Sequence, residues 1–156
     1  MKRIVLILLA FLFSMSLSAQ TISTPTDNLM LILKSVQKTG TDVELSALVT
    51  NCSTQEIVFN LVGGQYQTGM SGSVAYDNEG NIYELGDMLV AVGKKAYTEQ
   101  YCGVTIPSGV SVKVRVCIRN VDPLATELSK IKVCILCNEL ALDSTGICFE
   151  LNNIRI

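Results

Sequence analysis

Alternation with a period of two constrains this chain more than any other feature. Val43, Leu45, Ala47 and Val49 are apolar, and Glu44, Ser46, Leu48 and Thr50 lie between them. Successive side chains of a strand point to opposite faces, so this pattern predicts a strand with one buried face. Similar short runs recur: Leu29 to Val36, Glu56 to Val62, Ser73 to Asp77, Asn81 to Leu85, Met88 to Val92, Tyr97 to Ile106, Gly109 to Asn120, Ile131 to Asn138 and Ile147 to Ile156. Turn-forming residues separate them: Gly40 with Thr41 and Asp42, Asn78 to Asn81, Gly93 to Lys95, and Pro107 with Ser108. The Pro107 turn is expected to close a hairpin. The stretch from Gly63 to Gly72 is rich in glycine and reads as a loop or a poorly packed edge. One short helix is expected, capped by Asp122, with Pro123 at its first position and continuing to Lys130. Roughly eight to ten short strands at regular spacing predict an all-β protein built as a two-sheet antiparallel sandwich, with that helix before the penultimate strand.

The N-terminus has a separate character. Lys2 and Arg3 precede an unbroken apolar run from Ile4 to Phe13, and small residues follow to Ala19. A basic start, a short apolar segment and a small-residue exit form the pattern of a secretory signal peptide, with cleavage expected after Ala19. The run is shorter than the roughly 20 residues that span a bilayer. Residues 1–19 are therefore expected to be a signal peptide, 20–28 a flexible lead, and 29–156 one sandwich domain. The expected location is outside the cytoplasm, periplasmic or secreted, with no membrane span after cleavage.

Composition excludes several functions. The chain holds 12 basic and 14 acidic residues, a net charge of −2, and becomes more acidic once Lys2 and Arg3 leave. Such a balance provides no basic field for nucleic acid. There is no His, which removes the Ser-His-Asp and Cys-His nucleophile systems and the commonest zinc ligand. No cofactor motif appears, and no pair of carboxylates stands out for glycosidase chemistry.

The run from Val104 to Val116 contains Ile106-Pro107-Ser108-Gly109 followed by Val112 and Val114. It resembles the apolar-Pro-x-Gly-x-x-Val-x-Val segment of immunoglobulin-like sandwiches. Asp122 to Glu127, ahead of the strand at Ile131, resembles the short helix before strand F in that family. Asp77 to Tyr83 resembles the Asp-x-x-Gly-Asn-x-Tyr hairpin of small exported bacterial proteins with immunoglobulin-like domains of unknown function. This resemblance covers most of residues 29–156, and it implies an immunoglobulin-like fold rather than an activity.

All six Cys follow residue 19, and an even number in an exported chain favours disulfides. Strand parity places Cys134 and Cys148 outward on two strands joined by one loop, which suits a cross-strand bridge. Cys102 and Cys117 flank the Pro107 turn at similar distances and are expected to pair. Cys52 and Cys137 remain; a bond between them would mimic the inter-sheet disulfide of immunoglobulin domains. Cys134 and Cys137 also have redox spacing, and with Cys148 they are a weak metal candidate.

The candidate binding surface is the loop at Gln65, Tyr66 and Gln67 with nearby Tyr76 and Tyr83, because tyrosine offers rigid amphipathic contact area. Asp77, Asn78, Glu79 and Asn81 bring oxygens together, as a weak calcium site or an ordinary turn would. Lys113, Arg115 and Arg119 form a basic row on one strand face. Taken together these features predict a non-catalytic, disulfide-stabilised binding or assembly module of the bacterial cell envelope, with a protein or glycan partner. The alternatives are a thiol-redox or metal-binding protein using Cys134 and Cys137, and a secreted hydrolase inhibitor.

Overall fold

A computed structural model describes residues 20–65, 72–137 and 147–156. Regular structure in them is entirely strand: β1 (Thr21–Ser23), β2 (Leu29–Thr39), β3 (Asp42–Asn51), β4 (Ile57–Val62), β5 (Val74–Asp77), β6 (Ile82–Tyr83), β7 (Met88–Val92), β8 (Tyr101–Ile106), β9 (Ser111–Ile118), β10 (Glu127–Cys137) and β11 (Ile147–Arg155). A four-stranded sheet runs β2-β3-β9-β7. A larger one runs β1-β11-β10-β4-β8, with β5 on β10 and β6 on β5. The orders β2-β3-β9-β7 and β11-β10-β4 correspond to the ABED and GFC sheets of immunoglobulin-type sandwiches.

The core follows from parity. On β3, Val43, Leu45, Ala47 and Val49 are buried, while Glu44, Leu48 and Thr50 are half-buried. Val114, Val116 and Ile118 of β9 join them from the same sheet. Phe59, Leu61, Ile131, Ile135 and Phe149 face them from the other. Phe59 and Phe149 are the largest fully buried side chains, and burying a side chain of that kind stabilises by roughly 1.5–3 kcal/mol.

Two expectations are corrected. The expected helix is not formed. Asp122 caps a single turn, its Oδ1 accepting the Leu124 amide at 2.8 Å and its carbonyl the Ala125 amide at 3.0 Å. Glu127 already belongs to β10, where Leu128 pairs with Ile154 on one side and Asp77 on the other. A second helical turn would break both ladders and expose Leu128, which is fully buried.

Pro107 does not close a hairpin. β8 pairs with β4 in the larger sheet, and β9 pairs with β3 and β7 in the smaller. Neighbouring strands in sequence pair only about two-thirds of the time. Here the corner crosses between sheets, held by Asn51: its carbonyl accepts the Gly109 amide (2.8 Å), and its amide donates to the Val110 carbonyl (3.1 Å). The side chain of Asn51, fully buried, donates to the carbonyls of Gln55 and Ile106.

Ahead of β2, the lead carries the short strand β1. Thr21, Ile22 and Ser23 pair with Asn152, Leu151 and Glu150 of β11.

Candidate functional site

The site begins with the basic row on β9. A segment from Gly93 to Gln100 leaves the end of β7 and lies over the outer face of the smaller sheet. Gly93, at φ 61°, makes the turn that starts it. Thr98 exchanges two backbone hydrogen bonds with Val90, both 2.9 Å, so this strap closes the β7 edge. Tyr97 donates its hydroxyl to Glu44 Oε2 at 2.6 Å. The Arg115 guanidinium sits 4.8 Å from the Tyr97 ring centre and donates to the Lys95 carbonyl at 2.8 Å. Arg119 bonds the Gly86 carbonyl and forms a half-exposed ion pair with Glu99 at 3.1 Å. Two of the three basic side chains in the row therefore clamp the strap. Burial, then the bond to Glu44, hold the Tyr97 proton far above the ordinary tyrosine range, so its hydroxyl stays a donor at every physiological pH.

Between strap and sheet opens a cleft of about 440 Å³, lined by Gln65, Leu89, Tyr97, Thr98, Glu99, Gln100 and Arg119. Gly63 and Gly64 make its geometry possible. The Gly63 amide donates to the Gln100 carbonyl (2.6 Å), Gly64 to Met88 (2.9 Å) and Gln65 to Glu99 (2.9 Å). A Cβ on Gly63 would collide with the Glu99 carbonyl, and one on Gly64 with the Leu85 carbonyl. Here glycine serves close backbone approach rather than looseness. The lining offers amide, hydroxyl, carboxylate and guanidinium groups, which suits a polar ligand held by several hydrogen bonds. Cys117 lies on the neighbouring strand, paired with Leu89 and Glu44. Burial, then the charges of Asp42 and Glu44, push its thiol above the ordinary range, and a protonated thiol is a poor nucleophile.

The other candidate residues are dispersed. Gln65 lines the cleft, whereas Tyr66 and Gln67 lie outside the described residues. Tyr76 is half-buried on β5, opposite Lys130 and Ile82. Tyr83 is buried, and its hydroxyl donates to Asp77 Oδ2 at 2.6 Å. Asp77 also accepts from the amides of Glu79 (2.9 Å) and Asn81 (2.8 Å) and from the Asn81 side chain (2.9 Å). Asn78 Oδ1 accepts the Thr126 and Glu127 amides, each at 3.0 Å. The oxygens that looked like calcium ligands are thus spent on N–H and O–H donors, and the turn props the start of β10. Burial alone would raise the Asp77 pKa, but the bonds from Tyr83, Asn81 and Glu79 outweigh it and hold the carboxyl below its usual value. No group of three or more metal-ligating side chains occurs among the described residues.

Cys134 and Cys148 form a disulfide and stand directly opposite in the β10–β11 ladder. Cys134 is buried, because residues 72 and 73 cover it: its amide donates to Ser73 Oγ at 2.9 Å. The 102–117 bridge is corrected. Cys102 is a buried thiol and Cys117 a half-buried one, and the sheet crossing at Pro107 parts them. The 52–137 bridge is corrected too: Cys52 is an exposed thiol just beyond β3, while Cys137 pairs opposite Phe59 and packs on the core. Since Cys134 is bonded to Cys148, it does not form a dithiol pair with Cys137.

The strap itself was not expected from the sequence, which placed Tyr97 to Gln100 in one strand with Tyr101 to Ile106. The available signal was the loss of alternation across Ala96, Tyr97, Thr98, Glu99 and Gln100 after a Gly-Lys-Lys turn.

Fold and site together define an antiparallel immunoglobulin-type sandwich whose β7 edge carries a clamped polar cleft. No protein-family model matches this chain, and no curated protein matches it. No helix among the described residues is long and apolar enough to cross a membrane.

Proposed function

We propose that this protein is a non-catalytic binding module, exported by its signal peptide to the bacterial cell envelope, where it holds a polar protein or glycan partner. The cleft under the Tyr97 strap carries this reading. It is built on rigid strands, its two flanking segments are clamped by Arg115 and Arg119, and its walls present hydrogen-bonding groups in fixed positions. Rigid scaffolds bearing polar loops are the usual platform for recognition. The bonded Cys134–Cys148 pair fits an oxidising compartment.

The test is a titration of isotopically labelled protein, followed by amide chemical shifts, with soluble muropeptides and with envelope extracts of the producing cell. The expected result is perturbation centred on Gln65, Thr98 and Gln100, weakened by Gln100→Ala and by Arg119→Ala. Shifts confined to other surfaces, or binding untouched by both substitutions, would sink the reading.

A further inference from the structure

The two sides of the sandwich differ. On one side the strap closes β7. On the other, β2 ends the smaller sheet, and among the described residues β3 alone pairs with it. β2 is eleven residues long, and a bulge interrupts it between Leu33 and Ser35.

The orientation of its backbone groups can be read directly. The Asn28 carbonyl accepts the Cys52 amide at 2.8 Å. Hydrogen-bonded pairs of an antiparallel ladder recur every second residue, so Met30 and Ile32 also turn their backbone groups to β3. Leu29, Leu31 and Leu33 turn theirs to the open edge. The Leu29 amide is satisfied by the Thr26 carbonyl at 3.3 Å; the Leu31 and Leu33 groups have no partner among the described residues. Met30 (43 % exposed) and Ile32 (40 %) lie on the outer face beside this edge, with Leu48 opposite Ile32. An open edge bordered by exposed apolar side chains is a template for adding a strand.

We propose that the occupant is a second copy of this chain, whose β2 pairs antiparallel with the first about a two-fold axis at Leu31. That register uses the outward groups of Leu31 and Leu33 and the Leu29 carbonyl on both sides, the Leu29 amide staying with Thr26. Leu31 meets Leu31 of the partner subunit, Leu29 meets the partner's Leu33, and Met30 meets the partner's Ile32. The bulge after Leu33 ends the ladder. Lys34 and Asp27, both exposed, then fall at the ends of the seam, with Lys34 against Asn28 and Asp27 of the partner subunit. Symmetry makes this opposite-charge contact twice. It also keeps the two Lys34 side chains about 20 Å apart along the strand direction. The interface is isologous and closes on itself, so it yields a dimer rather than a fibre. The proposal stands apart from the cleft and does not need the cleft to be occupied.

The experiment is sedimentation velocity on the chain purified from the exporting cell, from about 1 to about 200 µM. The wild type is expected to move from monomer to dimer across that range. Asp27→Lys and Lys34→Asp should each raise the dissociation constant about tenfold, since two symmetry-related contacts change sign at once. The double variant, with the charges exchanged, should return toward the wild-type value. Amide hydrogen exchange should slow at Leu31 and Leu33 as concentration rises. A wild type that stays monomeric at the highest concentration would overturn the proposal. So would a dimer indifferent to both single variants, or one that protects other amides instead.

Discussion

Tyr83 is the best single test of how the Asp77 turn holds the structure. Tyr83→Phe keeps the buried ring and removes one oxygen. That oxygen donates to Asp77 Oδ2 at 2.6 Å and accepts the Asp122 amide at 3.0 Å. A hydrogen bond to a charged group contributes roughly 1.5–3 kcal/mol, and a polar group left unpaired on burial adds a further cost. Asp77 keeps three donors, from Glu79 and Asn81, so the loss should fall near 2–3 kcal/mol rather than higher. For a domain of this length that is a drop in Tm of about 6–12 °C. The chain has no Trp, so urea unfolding is followed by far-ultraviolet circular dichroism.

The same substitution has a signature in acid. The folded-state pKa of Asp77 lies below its ordinary value of 3.8. Its contribution to stability is therefore complete above about pH 4 and is lost as pH falls through the folded pKa. Removing the Tyr83 donor brings the folded pKa back toward 3.8, so the acid limb of the stability curve should flatten below about pH 4. A loss under about 1 kcal/mol at neutral pH, together with an acid limb as steep as the wild type's, would refute the assignment of Asp77 as an ionised, hydrogen-bonded anchor.

Three further outcomes are expected. Replacing Cys134 and Cys148 together by Ser removes a bridge across a sequence separation of 14 and should cost about 3 kcal/mol on the loop-entropy estimate, measured as a lower urea midpoint that reductant no longer changes. Gly64→Ala drives a Cβ into the Leu85 carbonyl and should destabilise by more than about 3 kcal/mol, read as loss of protease resistance, while Gly80→Ala, where a Cβ meets nothing within 4 Å, should cost about 1 kcal/mol for its φ of 90° alone. Brief maleimide treatment of the native protein should label exposed Cys52, with buried Cys102 reacting only in denaturant and the intact mass giving the count.

Local features of this fold were legible in the sequence, and sheet membership was not. Parity put Val43, Leu45, Ala47 and Val49 inward, and they are. Parity also set Cys134 opposite Cys148, because β10 and β11 are neighbours in both sequence and space. The same reasoning misled at Cys102 and Cys117. Matching distances from Pro107 suited a hairpin, but nothing local tells a hairpin turn from a corner that crosses between sheets. The crossing depends on Asn51, whose part in holding it appears only once β3 and the corner meet. The helix at Asp122 failed for a similar reason. Its cap is real, yet Leu128 is worth more in two ladders than in one helical turn. At the candidate surface, Tyr83 carried the right residue type for a contact but was taken into the Asp77 turn. The glycines at 63 and 64 pointed toward looseness when they were needed for closeness.

The chain order explains why the cleft sits where it does. β7 ends the smaller sheet and β8 ends the larger, and they follow one another in sequence. The connection between them must cross the open side of the sandwich between those two edges. A short link would leave both edges bare to another chain, a recognised hazard of sheets. Here the link is held by Arg115 at Lys95, pairs Thr98 with Val90 and is held again by Arg119 at Glu99, so it covers the β7 edge and walls a cleft. The basic row on β9 is then explained without a charged ligand: two of its members hold the strap, and only Lys113 remains exposed. Among the described residues no comparable crossing covers β2 at the opposite end of the sheet, where the neighbouring segments run to β3 and to the three-residue β1. The same topology that covers the β7 edge with a clamped strap thus leaves the β2 edge open among the described residues.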